Sequence, residues 1–399
     1  MDTIIKNLNK IKELGLYPDV KTISSSPDPE VIINGRKVLL FCSSNYLGMA
    51  TNQELINFTI EAFKKYGTGS GGSRLLSGTY DSHVELDETT AKFKGTDDAV
   101  TFNSGFQTNS GVIEALTKTL KFDIKGMIFP PKTIIFSDSL NHASIVDGCR
   151  NSRVEVYIYP HNDMDYLERG LKKYKKKRKI IITDGIFSMD GDIAKLDKIV
   201  SLSEEYGGMI YIDDAHATGV LGKHGGGTAE HFNLQKRVHI QMGTFSKAVG
   251  VLGGYIASNK ALVEYLRITT RSYIFSTAMP PAIASSITKS LNIIHENSAL
   301  REKLFWNANY LRSGLNEMGF NTLSSETQII PILIGDDVKA IKFSEYLFEK
   351  GILGPNVRWP AVEKDKARIR LTVMATHTKE QIDFLLEVCE IIGNKMHLL

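Results

Sequence analysis

Residues 209–219 read MIYIDDAHATG: an apolar run, two adjacent acids, then Ala215, His216 and a closing glycine. A short run rich in β-branched and aromatic residues that stops at carboxylates is the pattern of a buried strand whose last residue reaches a polar site. The theme recurs on both sides. Residues 99–102 (AVTF) precede Asn103-Ser104-Gly105, residues 133–136 (TIIF) precede Ser137-Asp138, and residues 179–183 (KIIIT) precede Asp184-Gly185. Downstream, residues 238–242 (VHIQM) precede Gly243-Thr244. Helix-like stretches fill the gaps. Strands alternating with helices predict an α/β domain around a mainly parallel sheet. In such sheets ligands bind beyond the carboxyl ends of the strands, which is where the unusual polar residues stand.

Two of those strand ends belong to one chemistry. A buried Asp213 could hold a protonated ring nitrogen, and His216 three residues later could reach a second ring substituent. On the neighbouring strand end Lys247 follows Thr244 and Ser246 and precedes a glycine-rich stretch. A lysine desolvated there loses proton affinity, which favours imine formation, while the hydroxyls suit a phosphate. An amine-reactive aldehyde, a phosphate and a pyridine nitrogen paired with a carboxylate describe pyridoxal 5′-phosphate (PLP). Read singly, Asp213 fits a solvated loop and Lys247 a surface lysine; their pairing favours PLP. A third strand end opens a helix at Ser104-Gly105-Phe106, where free backbone N–H groups suit the phosphate. A fourth supplies His142, an imidazole able to stack on the pyridine. The glycines at 67–72 follow a predicted helix at 53–66 rather than a strand, and residues 221–225 lack the spacing of a P-loop, so a nucleotide fold is rejected.

With 399 residues the chain exceeds one ordinary domain. We expect residues 49–285 to form the large PLP-binding domain and 286–399 a smaller α+β domain. Residues 1–48 would pack with the latter, through strands at 30–34 and 37–41. Within the small domain the pattern predicts one long helix over 291–315, strands at 328–334 and 367–373, and a closing helix at 379–392. The net charge of +3 is too mild to imply nucleic acid, and no apolar run suits an integral membrane segment. Cys42, Cys149 and Cys389 are widely spaced and odd in number, which suits a reducing cytoplasm. The ten histidines include no HExxH, so no metal is expected. The basic run at 172–179 (KKYKKKRK) reads as a solvated helix end, or more sharply as a dock for an acidic carrier protein or coenzyme A phosphates.

Taken in order, the motifs SNYLG (44–48), GSGGSR (69–74), SLNHASI (139–145), FSMDGD (187–192), DDAH (213–216), GTFSK (243–247), FSTAMPP (275–281) and ARIRLT (367–372) carry a family likeness. The sequence resembles the α-oxoamine synthase family of fold-type I PLP-dependent transferases over nearly its whole length. The resemblance implies that Lys247 carries the cofactor as a Schiff base, that Asp213 pairs with the pyridinium nitrogen, that His216 contacts the ring hydroxyl and that His142 stacks on the ring. It also implies that Ser104, Gly105, Phe106, Thr244 and Ser246 hold the phosphate side, with Thr277 reaching into a partner subunit's site. Asn45, Ser188 and Arg370 would hold the amino-acid carboxylate. The implied enzyme is a cytoplasmic homodimer with shared active sites. It would condense glycine, alanine or serine with an acyl-CoA or acyl-carrier thioester, losing carbon dioxide to give an α-amino ketone.

The branches of the family are mixed in the motifs. Residues 183–188 resemble glycine C-acetyltransferases, 69–74 and 276–281 resemble 8-amino-7-oxononanoate synthases, and 273–275 resemble soluble bacterial serine palmitoyltransferases. An aminotransferase on the same fold is the alternative of another class. Residues 117–132 are longer than the family pattern. Their apolar cluster (Phe122, Ile124, Met127, Ile128, Phe129) reads as packing against a partner subunit, or more sharply as the border of an acyl entrance that favours a chain longer than acetyl.

Overall fold

Ile180, Ile181 and Ile182 are 1%, 0% and 0% exposed. Three consecutive buried residues require a strand covered on both faces, and each buried side chain contributes roughly 1.5–3 kcal/mol. The computed structural model describes residues 1–13, 16–17, 20–117 and 132–399; the apolar cluster at 122–129 lies outside the described residues.

In chain order the strands are β1 (Glu30–Ile33), β2 (Arg36–Leu40), β3 (Asp98–Phe102), β4 (Thr133–Asp138), β5 (Glu155–Tyr159), β6 (Arg178–Asp184) and β7 (Gly208–Asp213). They continue as β8 (Ile240–Thr244), β9 (Gly254–Ser258), β10 (Ile329–Gly335), β11 (Ile352–Leu353), β12 (Asn356–Val357) and β13 (Ala367–Thr372). The main sheet has seven strands in the order β3-β9-β8-β7-β6-β4-β5. Only β9 runs against the rest, antiparallel to both β3 and β8. Ile180 and Ile182 pack on one face with Val112 and Ile113 of helix Gly105–Thr117 and Ile145 of helix Ala143–Ser152. Ile181 packs on the other with Leu167 and Leu171 of helix Met164–Lys173 and Ile199 of helix Leu196–Tyr206. Helices on both faces of a mainly parallel sheet give the three-layer α/β architecture expected from the alternating pattern.

Two of the strands, β5 and β9, were not among the expected runs. β5 is a half-exposed edge strand, so it lacks a continuous apolar signature. β9 begins at Gly254, where a Cβ would come within 2.9 Å of the Gly105 backbone. Gly254, in the glycine-rich stretch after Lys247, thus lets β9 pass close to a helix start. The fifth expected strand is also displaced, from 238–242 to Ile240–Thr244. The backbone N–H of Ile210 donates to the His239 ring at 3.2 Å, which replaces a ladder bond, and pairing with β7 begins only at Tyr211 and Ile240.

Elsewhere the described residues form two three-stranded sheets, β10-β13-β12 and β1-β2-β11. Hairpin β1–β2 turns at Asn34 and Gly35, both with positive φ (51° and 72°), the two-residue turn that Asn-Gly favours. The N-terminal segment is tied to the C-terminal one by β2–β11 pairing and by Thr372 N–H donating to Phe41 O at 2.8 Å. The helix at 53–66 forms as Gln53–Tyr66, capped by Asn52, whose side chain accepts from Leu55 N–H. The single helix expected at 291–315 is two, Pro281–Glu296 and Ser298–Glu317, broken where Asn297 is extended. Arg301 sits across the break and donates to Ile294 O at 2.6 Å, satisfying a last-turn carbonyl that the break leaves open.

Candidate active site

Beyond the carboxyl ends of β4, β6, β7 and β8 lies a cavity of about 230 Å³. It gathers Ser104, Gly105, Phe106, His142, Ser188, Asp213, His216, Thr244, Ser246 and Lys247 from five separate segments of sequence. Asn45, Arg370 and Thr277 do not line it.

Asp213 ends β7 and is 3% exposed. Its Oδ2 accepts from Asn109 Nδ2 at 2.7 Å and its Oδ1 from Ala215 N–H at 2.9 Å. Asn109 is itself held, accepting from Tyr211 OH at 2.6 Å and donating to Ser144 Oγ at 2.9 Å. A carboxylate fixed by two donors stays in one orientation at the floor of the cavity. Asn109 stands one helical turn after Gly105, a spacing that puts both on one face.

Lys247 lies three residues beyond β8 and faces this carboxylate. Burial pushes its ammonium down to about 8, against the pull of Asp213 and Asp184 in the other direction. Among the described residues its Nζ makes no hydrogen bond or ion pair, so the amine is open to the cavity. Burial also lowers the proton affinity of His142. Ser144 N–H donates to its Nδ1 at 3.2 Å, which makes Nδ1 an acceptor and leaves the ring proton on Nε2. His216 is held neutral by burial and by the nearby Lys247 charge. The Tyr46 hydroxyl lies 2.7 Å from its Nδ1.

Asp184, a further acid at a strand end, shares this site. It ends β6 directly beside Asp213 in register. Its Oδ2 accepts from His142 N–H at 2.9 Å. Burial, then repulsion from Asp213, raises its proton affinity well above that of an ordinary carboxyl. The strand-end pattern that singled out Asp213 applied equally to Asp184. Tyr46, Asn109 and Ser144 carried no such signal, because each acts through another side chain.

The two arginines of β13 are used differently. Arg368 is buried and donates to Asp190 Oδ1 at 2.5 Å. Arg370 donates through Nε to Ser188 O at 2.5 Å, and among the described residues its terminal amino groups make no hydrogen bond. Ser188 lines the cavity, so Arg370 stands just behind its wall. Asn45 has both ends of its amide occupied, donating to Pro27 O at 3.2 Å and accepting from Ala50 N–H at 3.1 Å. Thr277 is exposed, bridged to Ser73, and its carbonyl accepts from Asn103 Nδ2 at 2.7 Å. The basic run at 172–179 leads into the start of β6, the end of the sheet opposite the cavity; a partner docked there would be the length of a strand from Lys247.

The donor set fits PLP. An open amine and a fixed carboxylate suit an aldehyde and a pyridinium at opposite ends of one ring. The phosphate fits between the start of helix Gly105–Thr117 and the hydroxyls of Thr244 and Ser246. A Cβ on residue 105 would lie 3.3 Å from Met242 and from Thr244, so glycine keeps this cradle open.

Known proteins agree. Residues 36–388 match the family aminotransferase class I and II. The 8-amino-7-oxononanoate synthase of Thermoanaerobacter pseudethanolicus is 46% identical over 100% of this chain and 98% of its own length. One from Bacillus subtilis is 43% identical over 98% and 97%. A lysine-to-alanine variant of serine palmitoyltransferase from S. paucimobilis with a bound PLP–myriocin aldimine superposes with a TM-score of 0.91 at 30% identity, covering 100% of this chain and 98% of that one. An 8-amino-7-oxononanoate synthase from Francisella tularensis gives 0.76 at 28%, over 90% and 99%. The fold and these likenesses define a fold-type I PLP-dependent transferase. Within that class the chain belongs to the α-oxoamine synthase family, and it is a PLP-dependent acyltransferase. Among the described residues no helix is long and apolar enough to cross a membrane.

Proposed function

We propose that the enzyme joins alanine to a seven-carbon dicarboxylic acyl thioester, the reaction named by its 42–46% identical relatives. The product name fixes the arithmetic. In 8-amino-7-oxononanoate the amine-bearing C8 and the terminal methyl C9 are the Cα and Cβ of alanine, and C1 to C7 are the acyl chain. The bond formed joins Cα to the thioester carbonyl carbon. The thiolate leaves, the amino-acid carboxylate departs as carbon dioxide, and the electron pair it leaves at Cα takes up a proton.

PLP, when bound, supplies an electron sink for the pair left at the amino acid's Cα. The observation that carries the reading is the open, desolvated Lys247 facing a doubly held Asp213. Lys247 Nζ would hold the cofactor's aldehyde carbon, and its free amine would take the Cα proton, a task suited to an amine poised near neutrality. Asp213 keeps the ring nitrogen protonated. His142 would stack on the ring, and His216 would contact the ring hydroxyl. Ser104, Gly105, Phe106, Thr244 and Ser246 hold the phosphate. Arg370 grips the substrate carboxylate with its two open amino groups, a planar fork matched to two oxygens, beside Ser188. Asn45 fixes the segment that presents Tyr46 to His216.

Thr277 serves the site of a second subunit. It stands among exposed apolar residues, Leu75, Leu76 and Phe275, at 48%, 86% and 72% exposure, which a homodimer would cover. A serine palmitoyltransferase reading is favoured by the 0.91 TM-score; the higher identity to the oxononanoate synthases argues for alanine. The test is a matrix of alanine, glycine and serine against acetyl, dicarboxylic and long-chain thioesters, on coenzyme A and on acyl carrier protein, read by free thiol and mass spectrometry. Alanine with the seven-carbon dicarboxylic donor should be fastest. A preference for serine with a long chain would establish the second reading, and turnover of a keto acid without thiol release would make the enzyme an aminotransferase.

A further inference from the structure

His161 follows β5 and touches neither the cavity nor any proposed substrate contact, yet it joins two walls of the site. Its Nδ1 lies 3.1 Å from Asp138 Oδ1, and its Nε2 lies 2.8 Å from Asp192 Oδ2. Asp138 ends β4 and also accepts from Leu140 N–H at 2.9 Å, which shapes the loop leading to His142. Asp192 closes the turn that carries Ser188: Phe187 N–H donates to Asp192 O at 3.0 Å, and Gly191 N–H to Phe187 O at 2.9 Å. The same turn meets Arg370 through Ser188 O. Both carboxylates are buried, at 2% and 5% exposure.

Ionised carboxylates only accept, so a ring that bonds both must carry a proton on each nitrogen. We propose that His161 is a positioning residue whose imidazolium braces the Ser188 turn against the strand end that leads to His142, and so sets the amino-acid side of the site. This rests on the reading of Ser188 and Arg370 given above. The other groups around the ring fit the role. Phe187 presents a perpendicular ring at 4.3 Å. Asn162 donates its backbone N–H to Asp138 Oδ2 at 2.9 Å and its side chain to Asp192 Oδ2 at 3.0 Å. Lys195 and Glu326 approach from neighbouring segments but bond to backbone, at Asn162 O and Ile193 N–H. Among the described residues the second oxygen of Asp192 is buried without a partner, so His161 is the cation that offsets this carboxylate. Burial works against the charge, but hydrogen bonds to the two carboxylates outweigh it and raise the imidazolium to about 10.

The test has two parts. In full-length apoprotein labelled with ¹⁵N-histidine, His161 should show both ring nitrogens protonated at pH 8; a neutral ring there would overturn the proposal. In the loaded enzyme His161→Gln should raise the KM for the amino acid about 10- to 100-fold, the scale of a misplaced binding group. The KM for the acyl thioester and the retention of PLP should be unchanged. Asp192→Asn, which keeps an acceptor toward Nε2, should restore most of the amino-acid affinity relative to Asp192→Ala. If His161→Gln is insoluble, Asp192→Ala carries the same kinetic comparison. Unchanged amino-acid KM, or equal losses toward both substrates, would overturn the brace. A wild type that turns over no amino acid would instead overturn the reading of the site, and the NMR result would stand apart from it.

Discussion

Three carboxyl-bearing or basic residues at adjacent strand ends decide the chemistry, and their environments separate their roles. Asp213 is held by two donors, whereas Asp184 beside it is pushed toward the protonated form by burial and by Asp213. An amide at 213 cannot keep a pyridine nitrogen protonated, so Asp213→Asn should lose at least about 100-fold in turnover, the scale of removing one preorganised electrostatic partner. Asp184→Asn replaces a group that burial and Asp213 already push toward the protonated form and should cost far less. Steady-state rates of the two variants at equal PLP occupancy check this, and equal losses would mean that both carboxyls carry charge. Lys247 offers a pH signature. Its ammonium is held down to about 8, below its unfolded value, so at neutral pH the unfolded chain binds that proton more tightly and burial destabilises the fold. The penalty fades as pH rises from about 8 toward the unfolded value. Apoprotein with Lys247→Met should therefore melt higher than wild type at pH 7, with the gap narrowing by pH 10 in thermal scans.

At the level of elements, β13 places Arg368 and Arg370 two apart on one face, but what each meets differs. Removing Arg368 would strand the largely buried carboxylate of Asp190, which typically costs 3–5 kcal/mol on the order seen for broken buried pairs. Arg368→Ala should lower the melting temperature with little change in amino-acid KM. Arg370→Ala should do the reverse, weakening the amino acid while PLP stays bound. Kinetics and calorimetry on the pair decide it, and exchanged phenotypes would mean that Arg368 is the carboxylate ligand. Strand ends such as Asp184 and Asp213 were legible because a continuous apolar run announces each one. The half-exposed β5, the glycine-led β9 and the helix break at Asn297 were not, since their signals are tertiary: an edge position, a close approach to Gly105, and Arg301 satisfying a carbonyl from seven residues away. The same holds for Tyr46, Asn109 and Ser144, whose importance lies in what they hold.

Across the whole molecule, strands from either half of the sequence converge on one cavity, while Thr277 and its exposed apolar neighbours face outward. Sedimentation should give a dimer. Leu76→Asp with Phe275→Asp should give a monomer of low activity and intact secondary structure, and an active monomer would remove the shared-site reading. The claim on which everything else rests is that Lys247 is the residue that carries PLP. Borohydride reduction of the purified yellow enzyme, followed by peptide mass spectrometry, tests it directly. The added mass of reduced cofactor should appear on the peptide containing Lys247 and vanish in Lys247→Ala. Mass fixed on a different lysine, or on none in protein saturated with PLP, would contradict it.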